Sequence, residues 1–559
     1  MQTAKRVLII GLDGATWDVL DPWIRDGTLP NLARLRQSGS WGPLASSIPP
    51  ITAAAWSTFM TGKRPGKHGV YHFVKLFEDG AGDGAPELVS AYSLKSPTLW
   101  DVMGQHGRRV VLINIPLTYP PRPVNGVMIT GLLTPSSAEV FTYPPELSRQ
   151  LTDYQIDLER FSDKTPHVDS FDPSLTAPTL ALVEEFHTME EKRASVTFAL
   201  MDSEVWDFFM IVFTATDRMG HYLWPYHRSA RPHDNPEVQR LCQAVRDFYV
   251  RLDEIVGELA ARAGEDTTIV ILSDHGMGPV ETKRFHCNNW LRQHGWLAAR
   301  ATSTSIMSPD GILKRLGLPR DKIGRIIYRI PGLARSRVVK QATNRRGEVV
   351  DIERSTAYCV PIFFNITGIR VREGQGKGGL CQEIMRELAA LTDPETGRRI
   401  VQRVHRAAEY YHGPYAENIP DIIAILDPDY GCSYYLSHYS SVVTKRPLGA
   451  GPAKHRPNGI FAACGPGIAA QPAALPHLRI EDVAPTVLYL MDLPVPSDMD
   501  GRVLTEAIDP ALVAAQPMRA GGPMVFWPEA AEATFSEAVM SDEDEEVIRD
   551  RLRALGYFE

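Results

Sequence analysis

The sequence predicts an α/β protein with a mainly parallel central sheet. Five short runs are rich in β-branched residues and almost continuously apolar, as strands covered on both faces are: Arg6–Leu12, Arg109–Ile115, Phe208–Phe213, Thr267–Leu272 and Asp421–Leu426. Segments of helical length separate these runs. In Pro236–Ala263 the apolar residues recur at helical spacing, and Asn235 before Pro236 is a typical N-cap. Strands that alternate with helices form parallel sheets covered by helices.

Length and composition place the chain among large globular proteins. Its 559 residues are 44% hydrophobic and 23% charged, which excludes disordered, collagen-like and coiled-coil chains. The net charge of −8 argues against a general nucleic-acid binder, so a nucleic-acid polymer is not expected as a partner. The sequence contains neither a secretion signal nor an apolar run long enough to cross a bilayer, and its six cysteines are scattered. These features predict a cytoplasmic protein.

Two regions interrupt the alternation of strands and helices. Ser303–Val350 is rich in Lys and Arg, which indicates either a solvated helical face or a surface for an anionic substrate or lipid headgroups. Pro510–Pro528 has the composition of a linker, and the acids after Ser541 favour a terminal helix. The expected organisation is a catalytic domain in two parts, a basic cap between them, and a linker with an acidic C-terminal helix: residues 1–300 and 353–508, residues 301–352, and residues 509–559.

Three of the predicted strands are followed by acidic residues. Asp13 lies in LIIGLDG, Asp217 and His221 lie in IVFTATDRMGH, and Asp274 and His275 are adjacent in TIVILSDHG. Because the carboxyl ends of parallel strands meet at one edge of the sheet, we expect the three carboxylates to converge there. Carboxylates that converge repel one another unless cations neutralise them. A mixed Asp/His donor set favours zinc or another borderline transition metal over calcium or magnesium.

A threonine precedes another predicted helix. Thr52, in PPITAAAWSTFM, comes just before Ala54–Met60, a segment that can open a helix. A hydroxyl at a helix N-terminus lies beside backbone N–H groups that favour an anion. If a metal ion also contacts Thr52, its hydroxyl loses a proton and becomes a nucleophile. The alternative is that Thr52 only caps the helix, and the residues alone leave both interpretations open.

Five motifs follow one another along the chain: LIIGLDG, the Pro-Pro-x-Thr segment leading to TFMTGKRPGKHGV, TDRMGH, LSDHGM and AKHRPNGIFAACGPGI. In this order they resemble the type I phosphodiesterases/nucleotide pyrophosphatases of the alkaline phosphatase superfamily. The resemblance covers roughly residues 5–135, 205–300 and 355–505. The segment from WDVMGQHG to ITGLLTP is more similar to the bacterial and archaeal branch of predicted phosphohydrolases and phosphomutases. The resemblance implies an alkaline phosphatase-like fold.

The resemblance also implies a hydrolase that uses two divalent metal ions, zinc or alternatively manganese, on a small-molecule phosphate ester. Thr52 would attack phosphorus and form a phospho-threonine intermediate. The implied ligands are Asp13, Thr52, Asp274 and His275 for one ion, and Asp217, His221 and His455 for the other. His455 is chosen because it lies in AKHRPNG ahead of the IFAACGPG run. Its rival His438, in YYLSHYS, lacks that flank and is expected to be an ordinary surface or cleft histidine.

The chain departs from the family at one place in the motif around Thr52. Eukaryotic-type members carry an Asn three residues after the nucleophile and a His beyond it, whereas this chain has Ala55 and Trp56. The amide that helps to bind the phosphoryl group is therefore missing or replaced, which puts nucleotide substrates in doubt more than phosphorus chemistry. The residues considered as replacements are His286, Asn288, Asn289, Lys454 and Arg456.

Several functions remain open at this point. A phosphodiesterase is favoured, with a phosphomonoesterase or phosphomutase of the same superfamily as the alternative. A sulfatase needs an oxidisable Cys or Ser as nucleophile, and a cofactor-independent phosphoglycerate mutase uses Ser, so Thr52 argues against both. Two alternatives belong to other functional classes. One is a non-catalytic regulatory or scaffold protein, and the other is a protein that binds lipid headgroups at a membrane surface through its basic segment. Retention of all the acidic and histidine residues argues against the scaffold, since like charges have no structural reason to converge.

Overall fold

The computed structural model describes most of the chain: residues 6–75, 87–158, 173–227, 235–301, 348–374, 376–417, 419–436, 441–446, 452–527, 540–555 and 557. The chain divides into two compact units. The first contains Met1–Val280, Tyr411–Asn418 and Leu448–Glu559, and the second contains Glu281–Tyr410 and Ile419–Pro447.

The strands and helices of the described residues are numbered in chain order. The strands are β1 Arg6–Leu12, β2 Gly39–Ala45, β3 Val110–Ile115, β4 Gly126–Thr130, β5 Thr142–Tyr143, β6 Phe208–Phe213, β7 Thr267–Leu272, β8 Gly276–Pro279, β9 Lys283–His286, β10 Ala298–Ala301, β11 Glu348–Asp351, β12 Ala357–Phe363, β13 Ile366–Val371, β14 Val401–Arg406, β15 Ile422–Leu426, β16 Tyr430–Ser433, β17 Val443–Lys445, β18 Ala453–Arg456, β19 Asn458–Cys464, β20 Leu478–Arg479, β21 Val495–Pro496 and β22 Ala520–Gly521. The helices are α1 Trp17–Arg25, α2 Pro30–Gln37, α3 Thr52–Thr61, α4 Pro65–His68, α5 Leu99–Gln105, α6 Thr176–Ser203, α7 Ala215–Leu223, α8 Pro236–Ala263, α9 Cys287–Gln293, α10 Lys377–Ala390, α11 Ala407–Tyr410, α12 Val483–Leu490, α13 Pro510–Ala515 and α14 Asp542–Ala554.

The central sheet belongs to the first unit and has the strand order β20-β2-β19-β7-β1-β6-β3-β4-β5. Its middle strands, from β7 to β4, all run parallel. Strands β19 and β5 run antiparallel to their neighbours. Every residue of β3, β6 and β7 is buried, so these strands are continuously apolar because both faces of the sheet are covered. The predicted α/β fold with a mainly parallel sheet is confirmed.

The predicted helix ends are also present. The Asn235 carboxamide oxygen accepts a hydrogen bond from the Glu237 N–H at 2.9 Å, and caps α8. The Ser541 hydroxyl accepts from the Asp544 N–H at 3.1 Å, and four acidic residues occupy the first turn of α14. The segment predicted to be a linker, Pro510–Pro528, begins with six helical residues. Asp509 caps the short helix α13 there, since its carboxylate accepts from the Ala511 N–H at 2.9 Å.

The second unit contains a four-stranded antiparallel sheet of order β12-β13-β15-β14. The strand predicted at Asp421–Leu426 is present as β15, but it lies in this sheet and not in the central one. A short apolar run indicates a buried strand without specifying its partners, which is why the sequence assigned it to the wrong sheet. Residues 281–300, expected in the first part of the catalytic domain, lie in this unit, where β9 pairs with β16 and β17.

The expected cap at residues 301–352 lies almost wholly outside the described residues, and it stays a prediction. His438, the alternative ligand, also lies outside them. No helix in the part of the chain that the structure describes is both long enough and apolar enough to cross a membrane.

Candidate active site

Three aspartates converge at the carboxyl edge of the central sheet. Asp13 follows β1, Asp274 follows β7, and Asp217 lies in the first turn of α7, which follows β6. The three strands are direct neighbours in the order β7-β1-β6, with β1 in the middle. Each of the three aspartates has 0% of its surface exposed. The expectation that the side chains would meet at one edge therefore agrees with the geometry.

Among the described residues, each of these aspartates finds a hydrogen-bond donor for one of its two oxygens. The bonded oxygens are Asp13 Oδ2, from Trp56 Nε1 at 3.1 Å; Asp217 Oδ2, from Arg218 Nη1 at 2.5 Å; and Asp274 Oδ1, from the Gly14 N–H at 3.2 Å. The other oxygens, Asp13 Oδ1, Asp217 Oδ1 and Asp274 Oδ2, are buried and accept no hydrogen bond within the described structure. A buried carboxylate oxygen without a partner is costly, so these three atoms indicate a missing positive ligand.

Three histidines direct their Nε2 atoms at the same place. His455 Nδ1 lies 2.8 Å from the Pro50 carbonyl and His275 Nδ1 lies 3.1 Å from the Gly276 carbonyl. Because a carbonyl only accepts, each Nδ1 carries the proton and each Nε2 presents a lone pair. His221 Nε2 lies 2.9 Å from His455 Nε2. In His275 and His455 the protein fixes one ring nitrogen and the other is directed at the site, a pattern typical of metal-ligating histidines.

The Nε2 atoms lie close to the unbonded carboxylate oxygens. Asp217 Oδ1 is 3.4 Å from both His221 Nε2 and His455 Nε2. His275 Nε2 is 3.3 Å from Asp274 Oδ2 and 3.8 Å from Asp13 Oδ1. These donors form two groups in which the ligand atoms lie within 4.8 Å of one another: Asp217, His221 and His455, and Asp13, Asp274 and His275. Both groups fit divalent cations, because a cation would supply the positive partner that the free carboxylate oxygens lack.

Burial sets the protonation of these groups in the absence of an ion. Burial, followed by the charges of Asp274 and Asp217, raises the pKa of Asp13 well above its usual range. Burial also raises the pKa of Asp274, to about 8. Burial opposes the ionisation of Asp217 too, but the two histidines beside it and Arg218 hold its pKa well below the usual range. Asp217 therefore carries a negative charge, Asp274 retains a proton near neutral pH, and the shift in the pKa of Asp13 favours its protonated form in the same way.

Thr52 is the first residue of α3, and its hydroxyl faces the cluster. Its Oγ1 lies 3.2 Å from His275 Nε2. The N-cap position belongs to Ile51, and no side chain caps the helix, so the interpretation of Thr52 as a mere cap is wrong. The first helical hydrogen bond runs from the Ala55 N–H to the Ile51 carbonyl at 2.8 Å. The N–H groups of the first turn therefore lie beside the Thr52 hydroxyl, where a helix N-terminus favours an anion.

Arg218, next to Asp217 in the sequence, lies at the edge of the cluster and forms ion pairs there. It is completely buried, and its guanidinium bridges Asp217 Oδ2 at 2.5 Å and Asp157 Oδ2 at 2.7 Å. The helix that carries it is fixed in turn by Glu190, whose Oε1 accepts from the Ala215 N–H at 2.7 Å. A buried guanidinium that bridges two carboxylates sets the orientation of the Asp217 side chain. Sequence reasoning passed over Arg218, although its position beside a strand-end acid was a signal.

The departure at Ala55 and Trp56 has a structural counterpart. Trp56 is 0% exposed and its indole N–H orients Asp13. Gly11 makes room for it, since a Cβ on Gly11 would lie 2.7 Å from the Trp56 ring. Gly14, with a φ of +66°, is equally constrained, because a Cβ there would lie 2.9 Å from Asp217 Oδ1.

The residues considered as replacements for the missing amide have other partners. His286 Nε2 lies 2.9 Å from Thr444 Oγ1, the Asn288 side-chain carbonyl accepts from the Cys359 N–H at 2.8 Å, and Asn289 donates to the Ser441 carbonyl at 3.1 Å, all within the second unit. Arg456 donates to the Pro279 carbonyl. Lys454 lies on β18 beside His455, and after burial its charge contributes to the lowered pKa of His221. A residue that the sequence did not suggest, Tyr557, contacts the candidate nucleophile directly, with its hydroxyl 3.1 Å from Thr52 Oγ1.

The family model of the type I phosphodiesterases/nucleotide pyrophosphatases matches residues 7–446 of the chain. The chain belongs to this family. It is thereby a phosphoryl hydrolase of the alkaline phosphatase superfamily, and the family is metal-dependent. No curated protein sequence matches the chain.

Among solved structures, the fold is similar to that of the phosphonoacetate hydrolase from Sinorhizobium meliloti 1021. The complex of that enzyme with phosphonoacetate has a TM-score of 0.50 and 16% sequence identity, over 86% of this chain and 95% of the hydrolase. Human ectonucleotide pyrophosphatase/phosphodiesterase 5 is also similar, with a TM-score of 0.45 and 13% identity over 91% of this chain and 99% of that chain. The fold is alkaline phosphatase-like, as the motifs predicted.

Proposed function

We propose that this protein is a two-metal phosphodiesterase that cleaves a small-molecule phosphate ester through a phospho-threonine intermediate on Thr52. One observation carries the proposal: three buried carboxylate oxygens without hydrogen bonds surround histidine Nε2 atoms, beside the hydroxyl of a threonine that opens a helix. A protein without catalytic function gains nothing from converging these charges in its interior. The same set of donors is what a site for two cations and one nucleophile requires.

The ions would be held by the two groups of donors. The ligands proposed are Asp13, Thr52, Asp274 and His275 for one ion, and Asp217, His221 and His455 for the other. The mixture of carboxylate and imidazole donors favours zinc, with manganese as the alternative. When bound, the ions would neutralise the charge of the phosphoryl group and lower the energy of both oxygens that exchange at phosphorus.

The residues of the chain then have defined tasks. Thr52 Oγ1 forms a bond to phosphorus while the ester bond to the leaving alcohol breaks, and the hydroxyl proton passes to solvent as the alcohol takes one up. Water afterwards cleaves the bond between Thr52 Oγ1 and phosphorus, which releases the phosphate monoester with its remaining ester group and regenerates the hydroxyl. The free N–H groups in the first turn of α3 would donate to the phosphoryl oxygens. Trp56 and Arg218 act through Asp13 and Asp217, whose carboxylates they orient.

A substrate panel tests the proposal. Protein loaded with Zn²⁺ or Mn²⁺ is expected to hydrolyse bis-p-nitrophenyl phosphate faster than p-nitrophenyl phosphate, and a chelator is expected to stop both reactions. A p-nitrophenyl nucleotide ester should be the poorer diester, because the amide replaced by Ala55 is missing. Faster hydrolysis of the monoester would show that the alternative function, a phosphomonoesterase, is correct and that the proposed phosphodiesterase is not. Failure of the loaded protein to hydrolyse any of the esters would overturn the proposed function.

We expect metal binding to depend on pH with a definite sign. The pKa of Asp274 is raised to about 8, so a proton occupies its carboxyl near neutral pH, and the pKa of Asp13 is shifted in the same direction. An ion must displace the proton of Asp274, and its apparent affinity should rise as the pH increases from about 6 to about 9. Calorimetric titration with Zn²⁺ in buffers of different ionisation enthalpy should show protons released on binding. An affinity independent of pH, with no proton release, would contradict the assignment of Asp274 as a ligand.

A further inference from the structure

The C-terminal Tyr557 reaches into the cluster of donors. Its hydroxyl lies 3.1 Å from Thr52 Oγ1 and 3.2 Å from His455 Nε2, and 6% of the residue is exposed. Thr52 belongs with one proposed ion and His455 with the other. The phenolic oxygen is therefore placed between the nucleophile and the second group of donors. This is where an oxygen of the phosphoryl group or of the leaving alcohol has to lie during the reaction.

The aromatic ring of Tyr557 also packs against neighbouring rings. The Phe73 ring meets it edge-on with a centroid distance of 4.6 Å, and the His455 ring does so at 5.4 Å. Such edge-to-face contacts between buried rings are favourable beyond the area that they bury. The phenol of Tyr557 is thus bound like a ligand: its oxygen contacts Thr52 and His455, and its ring packs against the rings of Phe73 and His455.

The helix before Tyr557 is docked on the same unit over its whole length. At its start, the Ser137 hydroxyl lies 2.7 Å from both carboxylate oxygens of Asp544. Further along, Ile548 and Leu552 are 1% and 0% exposed. Near its end Arg551 is 4% exposed, and its charge lowers the pKa of Asp157, the partner of Arg218. Polar, apolar and charged contacts all fix the segment that delivers Tyr557.

We propose that Tyr557 is an intramolecular ligand of the phosphoryl site, which a substrate must displace before Thr52 can react. The inference rests on the proposed function, because it places the phenolic oxygen where that function requires a substrate oxygen. The protein then exists in a closed state, with Tyr557 bound, and an open state that binds substrate. The apparent affinity for any phosphoryl ligand is reduced by the fraction of open protein. The C-terminal helix α14 sets that fraction through its docking.

The primary test compares wild-type protein with Tyr557→Ala and Tyr557→Phe, all loaded with Zn²⁺. Removing the competing ligand should lower the dissociation constant for orthovanadate, measured by calorimetry, about tenfold or more in Tyr557→Ala, since the open fraction approaches one. The KM for bis-p-nitrophenyl phosphate should fall in parallel, without loss of kcat. Tyr557→Phe, which keeps the ring but loses the hydroxyl, should lie between the two. If instead both variants lose kcat and bind orthovanadate more weakly, Tyr557 assists the reaction, and the proposal is wrong.

A second test leaves the site untouched. Ser137→Ala removes an exposed contact to α14, and Ser136→Ala, at the exposed neighbouring position, is the matched control. Ser137→Ala should tighten orthovanadate binding in the same direction as Tyr557→Ala, whereas Ser136→Ala should leave it unchanged. In wild-type protein, orthovanadate should increase hydrogen exchange in Asp542–Ala554. Unchanged or slower exchange in this helix would overturn the proposal.

The two proposals fail in different ways. If no variant hydrolyses any ester but Tyr557→Ala binds orthovanadate more tightly, the proposal of an intramolecular ligand is supported and the proposed phosphodiesterase activity is wrong. If the enzyme hydrolyses esters but neither Tyr557 variant changes KM or orthovanadate affinity, the phosphodiesterase activity is supported and the proposal of an intramolecular ligand is wrong.

Discussion

Thr52→Ala is expected to lower kcat for bis-p-nitrophenyl phosphate by about three orders of magnitude or more, because the substitution removes the only atom proposed to bond to phosphorus. The metal content should stay close to that of the wild type. The remaining proposed ligands, Asp13, Asp274 and His275, are fixed by contacts that do not involve Thr52: the Trp56 indole, the Gly14 N–H and the Gly276 carbonyl. Elemental analysis and steady-state kinetics on the same preparation check both parts of the expectation.

Two variants serve as controls for this loss. Thr61→Ala removes another buried hydroxyl from the same helix, one that donates to the Ser57 carbonyl at 2.7 Å, and it should leave kcat near the wild-type value. Thr52→Ser keeps a hydroxyl at the site and should retain part of the activity. In both the wild type and Thr52→Ser, a p-nitrophenyl phosphoryl group trapped on the residue at position 52 should be detectable by mass spectrometry after acid quenching. Turnover by Thr52→Ala well above the uncatalysed rate would show that another group attacks phosphorus.

His455→Ala should remove one of the two proposed ions. His455 contributes Nε2 to the group of Asp217 and His221, and two ligands from this chain would remain there. Since structural and catalytic zinc sites take at least three protein ligands, we expect zinc to fall from two ions per chain toward one, with a loss of kcat of about two orders of magnitude or more. Inductively coupled plasma spectrometry and kinetics measure the two effects.

The substitution also breaks the hydrogen bond between His455 Nδ1 and the Pro50 carbonyl, which precedes Thr52 by two residues. His455→Asn, whose amide can still donate to that carbonyl, separates the loss of an ion from a displacement of the loop. His106→Ala, at an exposed position, controls for the loss of a histidine as such. Zinc content unchanged in His455→Ala would exclude His455 as a ligand.

The convergence of Asp13, Asp217 and Asp274 bears on the alternative of a non-catalytic scaffold. These carboxyls are completely buried, and an unbonded oxygen on each faces the other donors. Burial raises the pKa of Asp13 and of Asp274, so that ionisation of both carboxyls in the folded protein is unfavourable without a positive partner. A scaffold that uses the acidic helix and the basic segment for partners has no need of such a cluster.

Much of this site could be predicted from local patterns. The strands before Asp13, Asp217 and Asp274 are buried on both faces, so their sequences are continuous apolar runs that mark where each strand ends. The carboxyl ends of parallel strands meet at one edge, and three acids after three such runs therefore predict a common site. The roles of these residues as metal ligands, and of Thr52 as nucleophile, stay predictions for the variants above.

Other features of the site left weak signals or none. The strand at Ile422–Leu426 has the same apolar pattern as the central strands, yet it pairs antiparallel with β13 and β14 in the second unit. Trp56 stands where eukaryotic-type members of the family have a histidine, and the sequence comparison indicated only that this histidine is missing. The hydrogen bond from Trp56 to Asp13 depends on the close packing of α3 against β1. Tyr557 lies 505 residues from Thr52, which its hydroxyl contacts.

The sequence by itself determined the α/β class, the strand ends with their acids, the family and the N-caps of α8 and α14, because each of these depends on periodicity or on residues close together in the chain. Only the tertiary structure decided which oxygens lack partners, which nitrogen each histidine directs at the site, that Arg218 holds Asp217, and that Tyr557 lies between Thr52 and His455. Those properties depend on side-chain orientations and distances that only the packing of the folded unit fixes, even where two residues are adjacent in the chain, as Asp217 and Arg218 are; Thr52 and Tyr557 are separated by 505 residues.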